Sequence, residues 1–86
     1  MFLAGDICFK LNEVGDQMYF IKSGYVQIGN EDLSVVFKTM RAGDYFGELS
    51  MFTSQRRTAS ARALRDCIVY CLTIADFEQV VALYQV

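Results

Sequence analysis

Apolar and polar residues alternate in short bursts along most of this chain, and turn-forming residues separate the bursts. The segments Met18-Tyr19-Phe20-Ile21, Tyr25-Val26-Gln27-Ile28 and 33–40 are rich in aromatic and β-branched side chains, which predicts three strands. Ser23-Gly24 joins the first two, and Gly29-Asn30-Glu31-Asp32 joins the second to the third as a hairpin. Gly-Asp pairs at Gly5-Asp6, Gly15-Asp16 and Gly43-Asp44 each predict a chain reversal, because glycine supplies positive φ and aspartate bonds the turning backbone. From Ala59 the alternation becomes strict, with Ala59, Ala61 and Ala63 on one face and Ser60, Arg62 and Leu64 on the other, and a further strand follows over 67–72. Many short strands at such spacing predict a sandwich, barrel or roll. The period changes only at the end, where Thr73-Ile74-Ala75-Asp76 reads as the cap of a helix with Phe77, Val80, Val81 and Tyr84 on one stripe.

Length and composition narrow this picture. A chain of 86 residues holds one core and one small domain. With 53% apolar and 21% charged residues it is apolar enough to collapse. Its longest apolar runs fall far short of the roughly 20 residues that cross a bilayer. Met1-Phe2-Leu3-Ala4 leads straight into Gly5-Asp6, without the basic and apolar regions of a signal peptide, so the domain is expected to face the cytosol. Cys8, Cys67 and Cys71 are an odd number, lack metal-ligand spacing and are expected to be buried free thiols. The chain contains no histidine, the commonest general base and metal ligand, so no catalytic and no metal-binding residues are assigned. A net charge of −2 argues against nucleic acid as a partner. Positive charge is instead local, at Arg56, Arg57, Arg62 and Arg65.

That local charge meets a candidate anion site. Gly47-Glu48-Leu49-Ser50 follows the Gly43-Asp44 turn and reads as one helical turn with glycine at its mouth, where unpaired N–H groups favour an anion. Ten residues after Gly47 comes Arg57, whose planar guanidinium suits phosphate oxygens, with the Thr58 hydroxyl beside it. Glu48 would be repelled by a phosphate unless it serves a sugar hydroxyl, so the set describes a phosphate joined to a ribose. Taken singly, Arg56-Arg57 is also a solvated pair, and Arg57-Thr58-Ala59-Ser60 also has the form of a basic kinase substrate.

Gly5-Asp6-Ile7, the run from Gly15-Asp16-Gln17-Met18 to Ser23-Gly24-Tyr25-Val26, and Gly43-Asp44-Tyr45-Phe46-Gly47-Glu48-Leu49-Ser50 together resemble the cyclic-nucleotide-binding domain family. The resemblance implies a mainly β fold: a jelly-roll-like β-roll of about eight short strands, with a short phosphate-cassette helix and a C-terminal helix. It implies that Glu48 accepts from the ribose 2′-hydroxyl and that Gly47, Leu49 and Ser50 offer backbone N–H groups. Arg57, Thr58 and Ala59 would hold the cyclic phosphate of cAMP or cGMP, while Ile28 and Met40 match purine-packing positions. For those two, ordinary core packing is the other reading.

The residues around Arg56-Arg57-Thr58-Ala59-Ser60, with Tyr70, Asp76-Phe77 and Tyr84, are most similar to the branch of hyperpolarisation-activated and cyclic-nucleotide-gated cation channels. That implies a regulatory domain on the cytoplasmic face of a tetrameric parent channel, touching the membrane only through that parent, with no cofactor beyond its ligand. The alternatives are the regulatory domain of a cyclic-nucleotide-dependent kinase, a β-roll interaction module without nucleotide, and an enzyme on a cupin-like barrel. Ala4 and Gln85 stand where the family often has proline. Relatives continue into a long lid helix, so residues 1–86 are expected to be one domain cut from a longer polypeptide, without that lid.

Overall fold

A computed structural model describes residues 1–15, 17–47, 56–73, 75, 76, 78 and 79. They form seven strands: β1 (Ile7–Phe9), β2 (Gln17–Ser23), β3 (Tyr25–Gly29), β4 (Val36–Arg41), β5 (Tyr45–Phe46), β6 (Ser60–Ala63) and β7 (Ile68–Thr73). Two antiparallel sheets result, one in the order β1-β6-β3-β4 and the other β5-β2-β7. The mainly β, roll-like fold expected from the alternation is what the chain adopts. Isolated bridges, Phe2 to Cys67 and Val14 to Arg56, tie loops onto the sheets.

The pairing explains how two sheets share one core. β2 and β3 are separated only by Gly24, yet they pair in different sheets, so the chain turns a corner there. Inward residues of both sheets then meet: Ile21, Phe46 and Cys67 pack with Phe9, Val26, Met40, Ala61 and Ala63. Ile21, Val26 and Ala61 are wholly buried. Burying a Val or Ile side chain of this kind contributes about 1.5–3 kcal/mol.

Two of the Gly-Asp turns are built alike. Asp6 takes the Leu3 N–H on its carboxylate at 2.8 Å and donates its own N–H to Leu3 O at 2.9 Å. Asp44 does the same to Arg41, at 2.9 Å in both directions, with Gly43 at φ 93°. Gly15 departs from this expectation: it is not at positive φ, and its neighbour Asp16 lies outside the described residues.

The third predicted strand starts late, at Val36 instead of residue 33. Leu33 is buried at positive φ, and the Asn30 side chain accepts from Val35 N–H at 3.0 Å while Asp32 accepts from Ser34 N–H at 3.0 Å. These side-chain bonds hold 30–35 as a loop and leave β3 and β4 as the hairpin arms, from Tyr25 opposite Arg41 to Ile28 opposite Lys38. The expected cap is present, with Thr73 Oγ1 accepting from Asp76 N–H at 3.2 Å and an Asp76 carboxylate oxygen accepting from Thr73 N–H at 3.3 Å. Ala75, Asp76, Glu78 and Gln79 are helical, whereas Phe77, Val80, Val81 and Tyr84 lie outside the described residues, as does the cassette segment 48–55. All three thiols are free. Cys67 is buried and Cys8 half-buried, but Cys71 is exposed, on the outermost strand of its sheet.

Candidate functional site

Two adjacent arginines, Arg56 and Arg57, lie shortly before β6, and the backbone sends them apart. Arg57 N–H donates to Glu13 O at 2.7 Å and Asn12 N–H donates to Arg57 O at 2.9 Å, which pins this segment beside 12–14. Successive side chains of an extended segment point to opposite sides. Arg56 therefore lies outside, exposed, with its guanidinium on Asn12 O at 2.8 Å. Arg57 turns inward and is 6% exposed.

A charge so deeply placed is tolerable only when its donors are satisfied. Nη1 of Arg57 donates to Gly47 O and Nη2 to Gln17 O, both at 2.8 Å. The guanidinium carbon lies 4.2 Å from the Phe9 ring centre and 5.9 Å from that of Tyr19. Those rings belong to an aromatic group in which Tyr19 and Phe46 stack at 5.1 Å. Arg57 thus leads into β6 of one sheet, stacks on Phe9 of β1 in that sheet, and bonds Gln17 of β2 in the other. Gly15 is explained here: a Cβ at that position would overlap Nε and Cζ of Arg57. Space for a side chain, not torsion, fixes this glycine.

Beside the guanidinium lies a cavity of about 460 Å³, within the size range of small-molecule sites. Of the residues singled out from sequence, Gly47, Arg57, Thr58, Ala59, Ile28 and Met40 all line it. Glu48, Leu49 and Ser50 lie outside the described residues. Met40 is also part of the core cluster and Ile28 packs against it, so both residues belong to the core packing and to the cavity wall. Sequence reasoning missed Phe9 and Lys38. Phe9 joins only through β1–β6 pairing, whereas Lys38 had a legible signal: a cation two residues from Met40, on the same face of a strand. Ser60, the acceptor in the kinase-substrate reading, is 1% exposed within β6, out of reach of a modifying enzyme.

The described electrostatics of the cavity are simple. Arg57 and Lys38 bring positive charge, and Asp44 brings a carboxylate already engaged by Arg41 N–H. Among the described residues no cluster of His, Cys, Asp and Glu could hold a metal ion. A cavity with a buried arginine on its wall, a hydroxyl from Thr58 and apolar packing from Ile28 and Met40 suits a small anion carrying a flat apolar group.

The profile of the cyclic nucleotide-binding domain matches residues 1–84. This chain belongs to that family. A mouse relative, the potassium/sodium hyperpolarization-activated cyclic nucleotide-gated channel 2, is 36% identical over 98% of the chain. The chain spans only about 10% of that channel's length. Among solved structures, a cAMP-bound PfPKA-R superposes with a TM-score of 0.85 at 28% identity, over 98% of this chain and 29% of that one. The cAMP-bound EAL enzyme Bd1971 superposes at 0.83 and 29% identity, over 94% of this chain and 23% of that one. The cyclic nucleotide-binding domain described here has, among its described residues, no helix long and apolar enough to cross a membrane.

Proposed function

We propose that this domain binds a cyclic purine nucleotide, cAMP or cGMP, in the cavity beside Arg57, and that it is the regulatory domain of a ligand-modulated cation channel. The observation that carries the reading is the inward-turned Arg57, held by two carbonyls at the wall of a cavity about 460 Å³ in volume. Arg57 would pair with the cyclic phosphate, Thr58 would add its hydroxyl, and N–H groups of Gly47 and Ala59 would face the ligand. Glu48 takes the ribose 2′-hydroxyl in this reading, with Leu49 and Ser50 supplying further amides. Ile28 and Met40 pack on the purine. The domain is then regulatory and not catalytic, and it needs no cofactor.

The channel context is supported by 36% identity to the mouse channel across nearly the whole chain. In this reading the domain would sit on the cytoplasmic face of a tetrameric parent. PfPKA-R supports the kinase-regulatory alternative at lower identity. In the full-length protein, the channel reading expects a cation current that shifts on nucleotide addition, and the kinase reading expects release of phosphotransferase activity.

Calorimetric titration with cAMP and cGMP tests binding itself. Heat with neither nucleotide would leave a roll that serves as an interaction module. Arg57→Ala is expected to weaken affinity by about 2–5 kcal/mol, or roughly 30-fold to several-thousand-fold. Because Arg57 is also packed, a melting curve of the variant accompanies the titration, and undiminished affinity in the folded variant refutes its role as phosphate contact.

A further inference from the structure

Three arginines gather on the outer face of the four-stranded sheet, on the side away from the cavity. Val26, Met40, Ala61 and Ala63 point into the core, so their chain neighbours Tyr25, Gln27, Thr39, Arg41, Arg62 and Leu64 point outward. Strand register sets these residues in two rows. Arg41 pairs with Tyr25, whose carbonyl accepts from Leu64 N–H at 2.9 Å. Beside that row, Thr39 pairs with Gln27, Gln27 with Arg62, and Arg62 with Ile7. Directly paired residues share a face of the sheet.

Two of the guanidinium groups are held in place by their neighbours. Nη2 of Arg62 donates to Oε1 of Gln27 at 3.0 Å, and Cζ of Arg65, from the turn after β6, lies 5.5 Å from the centre of the Tyr25 ring. That second distance is within the range of a cation–π contact. Arg41, Arg62 and Arg65 have no ion pair among the described residues. Carboxylates in the bordering turns are engaged elsewhere: Asp6 by Leu3 N–H, Asp44 by Arg41 N–H and Asp66 by Ala4 N–H, at 2.8, 2.9 and 2.8 Å. The chain carries a net charge of −2, so this cationic face is a local concentration and not a consequence of composition.

A guanidinium fork matches a carboxylate, which it can bind through two hydrogen bonds. Tyr25, Leu64 and Ile7 are exposed among the arginines and offer apolar contact. Arginine and tyrosine beside aliphatic side chains is the make-up of protein interfaces, and charge complementarity fixes which partner is admitted. We propose that this outer face docks an acidic segment of a partner protein, with its carboxylates on Arg41, Arg62 and Arg65 and its apolar side chains against Tyr25, Leu64 and Ile7. A planar anionic membrane fits less well, because it would meet Asp6, Asp44 and Asp66 in the bordering turns as well, whereas a segment laid along the rows avoids them. The docking face does not depend on the nucleotide site, which lies on the inner side of the same sheet with Ile28 and Met40.

The test is fluorescence anisotropy of the 86-residue chain with a labelled peptide of glutamate and leucine, beside a lysine-leucine peptide and phosphatidylcholine vesicles that contain phosphatidylserine. The acidic peptide is expected to bind, more weakly as salt is raised, and to shift the backbone amide resonances of Gln27, Thr39, Arg41 and Arg62. Arg41→Gln combined with Arg65→Gln should weaken binding by about 2- to 30-fold, the loss of two exposed ion pairs. Arg56→Gln should leave it unchanged, since Arg56 is exposed elsewhere, on Asn12 O. The amide shifts of the wild-type chain decide the location without recourse to any variant. Absence of binding by that chain overturns the proposal, as do shifts centred on Arg56 or on the cavity, equal binding of the lysine-leucine peptide, or full affinity in the double variant. Vesicle binding that the double variant abolishes would give the face to a membrane and overturn it too.

Discussion

Gly15 shows how a residue with no side chain can govern one that has a long one. The guanidinium of Arg57 passes through the volume a Cβ would occupy, so Gly15→Ala has to displace it. Overpacking of this kind costs about 1–3 kcal/mol, and because Arg57 moves, nucleotide affinity should fall too. Gly5→Ala offers the contrast, since nothing lies within 4 Å of its added Cβ while its φ of 88° disfavours alanine. That variant should lose about 1–2 kcal/mol with affinity intact. Urea denaturation and titration of both variants separate the cases, and equal affinity in the two would refute the claim that Gly15 acts through Arg57. At this scale the sequence was partly legible. Arg57 stood out by its distance from Gly47 and by Thr58 beside it. Gly15 looked like a turn because Asp follows it, and its true constraint comes from a side chain that the long-range pairing of 12–14 with 56–57 brings near.

Between elements, Ser60 carries more than its size suggests. Its hydroxyl accepts from Leu11 N–H and donates to Glu31 O, each at 2.9 Å. One side chain thus joins β6 to the turn after β1 and to the loop between β3 and β4. Ser60→Ala removes both of these part-buried hydrogen bonds, each worth about 0.5–1.5 kcal/mol. The expected result is a lower urea midpoint with an unchanged slope, and an unchanged midpoint would mean that the three elements are held without it. The long strands were legible from alternation, since β2 and β3 carry enough aromatic and branched residues to stand out. β1 and β5 were not, because runs of 3 and 2 residues are too short to show a period. The start of β4 was misplaced because Leu33-Ser34-Val35 has strand composition, while Asn30 and Asp32 supply competing local bonds.

For the molecule as a whole, a titration that contributes to stability lies at alkaline pH. Burial, with smaller contributions from Cys67 and Asp6, pushes the Cys8 thiol from 9.0 up to about 12. Between those values the unfolded chain releases this proton while the folded chain retains it. The unfolded state then binds fewer protons, so stability present below pH 9.0 is lost progressively as pH rises toward about 12. The measurement is the difference in pH slope between the wild-type chain and Cys8→Ala. Equal slopes would exclude Cys8 as the source. Arg57, finally, reaches both sheets, whereas Lys38 is an exposed residue of the cavity wall. On the proposed site, drift at Arg57 would be punished through folding as well as through binding, whereas drift at the exposed Lys38 leaves the core untouched. The capacity to bind is therefore anchored in the fold itself, because the side chain that would meet the ligand is also one that joins the two sheets.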